Sequence, residues 1–309
     1  MDRLKQIELF VMIAKLGSLS QAAERLAMSN AAASRHLTAL EESLGVRLVE
    51  RTTRRLWVTE AGARYLVGAR TMLGAYQQAG ASVAEVAGAP SGLLRVTASL
   101  SFAVQHLAPL MPAFRQRYPT LRVEVVVANR YPDFIEAGID VAIRTREHEA
   151  TSGIAMRPLA ETRRILCASP GYLARRGRPA RPADLTGHEM MIYTLANNPY
   201  ELSLERGEER QTVRVNSTFD SNDGQVLRTA AIAGLGILIL PMYIVFDDVV
   251  AGRLVPVMED WELPSLTINI AYQSRTHLPA KVRVFIDFLV ERFERLDFKR
   301  RWSGQARVD

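Results

Sequence analysis

The sequence predicts a multidomain protein with an all-α N-terminal part, one long connecting helix and an α/β remainder. Three observations carry this. A helical spacing of apolar residues runs through the first ninety residues, the run Gly88, Ala89, Pro90, Ser91, Gly92 interrupts it, and beyond it short apolar runs alternate with helical patterns. With 309 residues, 48% of them hydrophobic and 23% charged, the chain has material for two or three separate cores.

Composition narrows the function classes. A single Cys excludes an internal disulfide framework and fits a reducing compartment. The start, MDRLKQIELF, lacks the apolar stretch of a secretory signal, and the apolar run at 237–241 is too short to cross a bilayer, so a cytoplasmic protein without membrane contact is expected. The formal net charge of +6 favours a polyanionic partner without requiring one.

Leu4, Ile7, Phe10, Val11 and Ala14 recur at helical spacing and predict a first helix that ends at Gly17. Ser18 or Ser20 caps a second helix carrying Ala22, Ala23 and Leu26, and Ser29 caps a third. On the third helix Ala33, Leu37, Leu40 and Leu44 follow at intervals of four, three and four and share the core face. Asn30, Ala31, Ser34, Arg35 and Thr38 are left on the outer face. Two helices joined by a tight turn, the second small, polar and singly basic near its N-terminus, form the geometry that enters a DNA major groove. Alanine methyls meet thymine methyls there, and Asn30, Ser34 and Arg35 hydrogen-bond to bases or phosphates. Ala32 and Ala33 read instead as helix-favouring residues packed on a neighbour.

The next stretch, VRLVERTTRRLWV at 46–58, has β-branched and apolar positions around Thr52 and Thr53, and sets Arg47, Arg51, Arg54 and Arg55 against one acid, Glu50. A basic hairpin directly after such a helix pair is a wing, placed on phosphates or in the minor groove. A solvated edge strand has the same composition.

Residues 17–62, GSLSQAAERLAMSNAAASRHLTALEESLGVRLVERTTRRLWVTEAG, resemble the winged helix-turn-helix of LysR-type transcriptional regulators. The A-A-x-x-L of the second helix, the Ser opening the third, the S-R pair, A-L-E-x-x-L-G, E-R-T and T-E-A-G are in the family's register. Val49 stands where the family usually has Phe and Ala27 where it often has Gly, departures expected to alter packing only; Asn30 for Gln and Thr53 for Gly bear on the operator sequence and the wing tip. The resemblance implies a sequence-specific regulator that binds double-stranded DNA, with Ser20, Gln21 and Ser29 joining the groove-reading face and Arg51, Thr53, Arg54 and Arg55 in the wing. It also implies contact with RNA polymerase if the protein activates.

From Thr59 to about residue 88, Tyr65, Ala69, Met72, Tyr76, Ala79, Val83 and Val86 alternate at four and three residues. This is a heptad seam on a helix of about 29 residues, roughly 43 Å long. One long helix packed on its own domain has the same spacing. The resemblance implies that the helix pairs antiparallel with a partner's, so a homodimer or homotetramer presenting two reading heads to an interrupted palindrome is expected.

In the remainder, strands are predicted over 93–98, 121–127 and 139–143 with helices over 102–117 and 131–137 between them. A second series follows: strand 165–168, a helix around Tyr172, strands 190–193 and 213–215, helix 224–233, and strands 237–240 and 254–257. A strand over 266–272 and an amphipathic helix over 279–295 close it. This alternation predicts mostly parallel sheets covered on both faces. The resemblance implies that the last pair returns to the first lobe, giving a two-lobed fold like a periplasmic binding protein with crossings near 162 and 267. The expected domains are a DNA-binding domain at 1–58, a linker helix at 59–90 and an effector-binding domain at 91–297, with lobe I at 91–161 and 268–297 and lobe II at 162–267. The basic tail at 298–309 is expected to be a disordered end.

Ligands of open α/β sheets sit at the carboxyl ends of strands against helix N-termini. Ser99 and Ser101 follow the first strand and open a helix, and Ser217, Ser221 and Asn222 precede the helix that ends in AAIAGLGILILP, which matches the family's A-G-L-G-x-x-x-L-P. Backbone N–H groups and hydroxyls at both helix ends are expected to hold a small anionic or polar effector, with Arg130, Arg146 and Asn197 reaching it from loops. Ordinary capping explains each of these residues singly as well.

Catalysis finds no support. Gly234 and Gly236 precede a strand and lack a third glycine, so they fail the dinucleotide context, and G-x-S-x-G, P-loop and H-E-x-x-H motifs do not occur. His36, His106, His148, His188 and His277 are scattered, and Cys167 sits in an apolar strand as a buried thiol would. No cofactor or metal is expected. A constitutive repressor without effector, and a small-molecule sensor without a DNA role, remain as alternatives.

Overall fold

The computed structural model describes residues 2–51, 56–85, 90–129, 138–146, 154–273 and 278–303, the side chains at 51, 77–85, 146 and 299 excepted. Met1–Ala89 forms the bulk of one compact unit, and the chain from Pro90 onward the bulk of a second.

In the first unit each helix starts on a side chain that satisfies an otherwise unpaired N–H. Asp2 caps α1 (Arg3–Leu16) through Leu4 N–H at 3.1 Å, Ser18 caps α2 (Leu19–Arg25) through Gln21 N–H at 3.3 Å, and Ser29 caps α3 (Asn30–Leu44) through Ala32 N–H at 3.2 Å. Ser18, not Ser20, is therefore the cap of the second helix. A hairpin of β1 (Val49–Arg51) and β2 (Leu56–Val58) follows, with Glu50 opposite Trp57, and then α4 (Glu60–Glu85). The core gathers Ile7, Phe10, Ile13, Ala22, Ala33, Leu37, Leu40 and Leu48. Leu44, expected in that core, is 38% exposed at the last position of α3.

Two expectations for this unit change. Ala27 was expected to differ from the family's glycine in packing alone; it is exposed and its backbone lies at φ +51°, so the difference is conformational. The heptad seam divides as well. Tyr65 lies against Phe10 with ring centroids 5.8 Å apart, and Ala69 is buried in the same core, whereas Met72 and Tyr76 are 50% and 61% exposed. The first two seam residues thus pack on their own domain. Ala79, Val83 and Val86 lie outside the described side chains.

The second unit opens with β3 (Gly92–Ala98), α5 (Leu100–Phe102), a π-helical turn (Ala103–Leu107), a 3₁₀ turn (Ala108–Leu110) and α6 (Met111–Arg117). One regular helix was expected here. Pro109 and Pro112 supply no N–H, so the α-helical ladder is broken and the turns change type. Then come β4 (Leu121–Val127), β5 (Val141–Arg146), β6 (Ile154–Thr162), β7 (Arg164–Ala168), α7 (Pro170–Arg176) and β8 (Met190–Tyr193). The chain continues through β9 (Glu201–Arg206), β10 (Glu209–Arg214), β11 (Ser217–Ser221), α8 (Gly224–Ile232), β12 (Ile237–Pro241), α9 (Met242–Val250), β13 (Val255–Val257), β14 (Leu266–Gln273), α10 (Ala280–Arg295) and α11 (Phe298–Ser303). The helix expected over 131–137 lies outside the described residues.

Two five-stranded sheets, ordered β4-β3-β5-β14-β6 and β11-β8-β12-β7-β13, form the two lobes, and β9 with β10 makes a separate hairpin. The sheets are mixed rather than mostly parallel. In the first, β3 runs parallel to β4 and β5, but β14 returns antiparallel to both β5 and β6. In the second, β8 is parallel to β11 and β12, and β7 is antiparallel to β12 and β13. The reversals fall on the strands next to the two crossings, where the chain arrives from the other lobe.

The C-terminal segment expected to be disordered is a helix through Ser303. Trp302 is 1% exposed, stacks on Phe298 at 4.4 Å and meets the His106 ring edge-on at 4.8 Å. Its carbonyl accepts the Arg163 N–H at 2.9 Å, at the crossing between β6 and β7. His106, from the lobe containing β3, bonds through Nε2 to the Tyr243 carbonyl of the other lobe at 2.8 Å, and Gln105 Nε2 donates to the Ile244 carbonyl at 3.0 Å. The aromatic side chains of α11 therefore complete a core at the hinge.

Candidate nucleic-acid interface and interlobe cavity

The outer face of α3 carries Asn30, Ala31, Arg35 and Thr38 in the open, with Ser34 half-buried and Ala33 buried beneath them. Ser20, Gln21 and Ser29 are exposed at the starts of α2 and α3. Helical spacing thus brings small and polar groups onto one solvent face, and the buried Ala33, Leu37 and Leu40 hold that face outward. Arg47 is exposed beside it, and Arg51 lies on β1, although its side chain is outside the described set. Thr53, Arg54 and Arg55 also lie outside the described residues. A cap, an exposed helix face of small residues and an adjoining hairpin entered at the exposed Arg47 form a surface suited to a duplex groove and its phosphates.

A cavity of about 710 Å³ lies between the lobes of the second unit, within the size range of small-molecule sites. Ser99, Ser101, Asn129 and Thr145 line it from one lobe, and Arg164, Tyr193, Asn197 and Glu201 from the other. Of the residues expected there, Ser99, Ser101 and Asn197 reach it. Ser221 and Asn222 do not line it, and Asn222 points into solvent. Arg130 and the Arg146 side chain are outside the described set. Asn129, Thr145, Arg164 and Tyr193 are lining residues that sequence reasoning missed.

Several N–H groups at the helix ends near this cavity are already bonded. Asp223, buried, caps α8 by accepting Gln225 N–H at 2.8 Å and Val226 N–H at 3.2 Å, and its other oxygen accepts Asn129 Nδ2 at 2.7 Å. Ser99 Oγ accepts Phe102 N–H at 3.3 Å. Of the backbone N–H groups expected to hold an effector, those of Phe102, Gln225 and Val226 are thus bonded within the protein. The lobes come close here, since a Cβ on Gly224 would stand 3.1 Å from Ser101 Oγ and 2.9 Å from Ile244 Cδ1.

Elsewhere in the second lobe Asp248 is fully buried and bridges Arg228 and Arg253, its Oδ1 lying 2.9 Å from Arg228 Nη2. Burial first, and the Asp248 charge second, push the Cys167 thiol well above its ordinary range, so it is an unreactive core thiol. Among the described residues no cluster of His, Cys, Asp or Glu is placed to hold a metal ion, and no helix is long and apolar enough to cross a membrane.

A helix-turn-helix with a wing and a two-lobed domain with an interlobe cavity together define a class of DNA-binding transcription regulator. Residues 4–63 match the bacterial regulatory helix-turn-helix of the lysR family, and residues 87–294 match the LysR substrate binding domain. The chain is 36% identical over 290 residues to the HTH-type transcriptional regulator CrgA of Neisseria meningitidis, covering 93% of this chain and 96% of that one. It is 32% identical over 304 residues to the regulator PtxR of Pseudomonas aeruginosa, covering 97% of each. The full-length Vibrio cholerae virulence activator AphB superposes with a TM-score of 0.62 at 28% identity, over 94% of this chain and 99% of that one. The chain belongs to the LysR family of DNA-binding transcriptional regulators, and its relatives are named as regulators rather than enzymes.

Proposed function

We propose that this regulator reads an interrupted palindrome as a homodimer or a dimer of dimers in the cytoplasm, and that a small polar effector in the interlobe cavity modulates it. Asn30, Ala31, Ser34 and Arg35 read base edges in the major groove, with Ser20, Gln21, Ser29 and Thr38 on the flanking backbone. Arg51, Thr53, Arg54 and Arg55 engage the phosphates or the minor groove. Pairing through α4 uses Met72 and Tyr76 and the turns beyond them, since Tyr65 and Ala69 are committed to their own core. RNA polymerase is a further partner if the protein activates.

The observation that carries the effector reading is the cavity of about 710 Å³ with hydrogen-bonding groups from both lobes, Ser101, Asn129 and Thr145 facing Tyr193 and Asn197. A ligand bridging them favours one lobe arrangement over another, which is the differential affinity that regulation needs. Arg164 and Glu201, of opposite charge, both line the cavity, so the favoured effector is a neutral or zwitterionic polar molecule rather than a simple anion. A thermal-shift screen of polar metabolites, including simple carboxylates as a contrast, tests this. A true effector at a hundred times its dissociation constant adds about 2.7 kcal/mol to the folded state and changes DNA affinity. Preference for a simple dicarboxylate would overturn the chemical class; no shift and no change in DNA affinity with any compound would leave a constitutive repressor.

A further inference from the structure

Resting on the DNA contacts proposed above, we infer that Glu41 is a positioning residue for DNA recognition: it fixes the wing to the recognition helix, so that the wing's grip on the duplex depends on it. Its carboxylate Oε1 accepts the Leu48 N–H at 2.7 Å and the Val49 N–H at 3.0 Å. These two groups stand where the chain leaves α3 and enters β1. Leu48 and Val49 are both buried residues, so these two bonds fix the backbone at the point where it joins the core.

The wing needs an external fixture. Among the described residues its hairpin pairs at three positions, Val49 with Val58, Glu50 with Trp57 and Arg51 with Leu56. Two strands of that length do not set their own orientation. The same segment is held from its carbonyl side by the start of α4. Thr59 N–H donates to Leu48 O at 3.0 Å, and Thr59 Oγ1 donates to Arg47 O at 2.8 Å while accepting Gly62 N–H at 2.9 Å. A Cβ on Gly62 would sit 2.1 Å from Leu48 O, so the approach is open to glycine alone. Residues 47–49 are thus gripped by the linker helix on one side and by the recognition helix on the other, and Glu41 is the side chain that makes the second grip. Two charge-assisted bonds from main-chain N–H groups to one carboxylate order the chain at the start of the wing.

The test uses the full-length chain and a pool of randomised duplexes, with selection at two salt concentrations and sequencing of the bound fraction. For Glu41→Ala we expect affinity to fall about tenfold, as for loss of a hydrogen-bonded charge. The salt slope should become shallower by about one for each phosphate that the wing no longer neutralises, and whatever base preference the wild-type chain shows flanking the half-sites should fall to background. The base preference within the half-sites, which α3 reads, should persist. Glu41→Gln, whose amide oxygen still accepts both bonds, should restore the flanking preference. Glu41→Asp, too short to reach both N–H groups, should lie between, and it decides the matter if the alanine variant does not fold. An alanine or aspartate variant with unchanged flanking preference and salt slope would overturn the assignment. So would equal loss of half-site and flanking preference in both the Ala and Gln variants, which would make Glu41 a general stabiliser of the domain.

Discussion

The Asn129 side-chain amide donates to the Asp223 carboxylate at 2.7 Å, tying the loop after β4 in one lobe to the N-cap of α8 in the other. The bond closes one wall of the interlobe cavity, so its strength contributes to the preferred lobe arrangement. A double-mutant cycle of Asn129→Ala and Asp223→Ala should give a coupling of about 1 to 2 kcal/mol in denaturant unfolding. Asp223→Ala alone should cost about 1 kcal/mol more, because α8 also loses its cap. Strictly additive effects would mean that the lobes do not meet at this pair.

Ala27 holds φ at +51° in the turn between the two DNA-reading helices and buries nothing. Left-handed backbone costs a residue with a Cβ about 1 kcal/mol, part of which glycine returns as unfolded-chain entropy. Ala27→Gly should therefore raise the stability of the N-terminal unit by a few tenths to about 1 kcal/mol, read by thermal unfolding. A loss of stability would place Ala27 in ordinary backbone.

Burial holds the His106 pKa below its ordinary value, against the opposing effects of its bond to the Tyr243 carbonyl and of the Asp247 charge. His188 shifts the same way, through desolvation and then the Arg176 charge. Both therefore fold as neutral rings more readily than as cations. Their contribution is present above the unfolded-state value and declines as pH falls below about 6.5, with a slope of at most about 1.4 kcal/mol per pH unit for the buried His106 and a smaller one for His188, which solvent screens. His106→Gln keeps a donor for the Tyr243 carbonyl but cannot titrate, and should flatten that slope in part, leaving the share of His188. An unchanged slope would remove His106 from the titrating set.

Trp302 is buried among Phe298, His106, Tyr243 and Phe293 at the hinge. Trp302→Ala should cost about 3 to 5 kcal/mol, whereas Arg300→Ala, on the exposed side of α11, should change stability by less than about 0.5 kcal/mol. Equal and negligible effects would return the segment to a loose tail.

The parts of the fold legible in the sequence are those whose local chemistry agrees with their tertiary setting. Ser29, Ala33, Leu37 and Leu40 announce α3 through a cap and a period, and the structure uses all four as they read. Other elements hide for identifiable reasons. The edge strand β6 contains Pro158, which argues against a strand except at an edge. Helix α9, MYIVFDDVV, is too apolar to show a single buried stripe and reads as a continuation of β12. At the cavity, the D-G step before α8 is a cap signal that names Asp223, yet hydroxyl and amide chemistry draws the eye to Ser221 and Asn222. The heptad spacing of α4 does not distinguish Tyr65 and Ala69, which face their own domain, from Met72 and Tyr76, which do not. Helix α11 has a basic composition, and only its aromatic partners, distant in sequence, make it ordered.

The most direct test of the central claim is DNA selection by the wild-type chain from fragments of its own genome at low and high salt, with Arg35→Ala in parallel. Specific dimeric readout predicts that fragments surviving high salt share an interrupted palindrome. Arg35→Ala should weaken binding by about 1 to 3 kcal/mol and relax preference at one position of each half-site. Recovery of fragments without a common sequence, with binding that collapses in salt and is indifferent to Arg35, would contradict it and reduce the surface of α3 and the wing to an electrostatic patch.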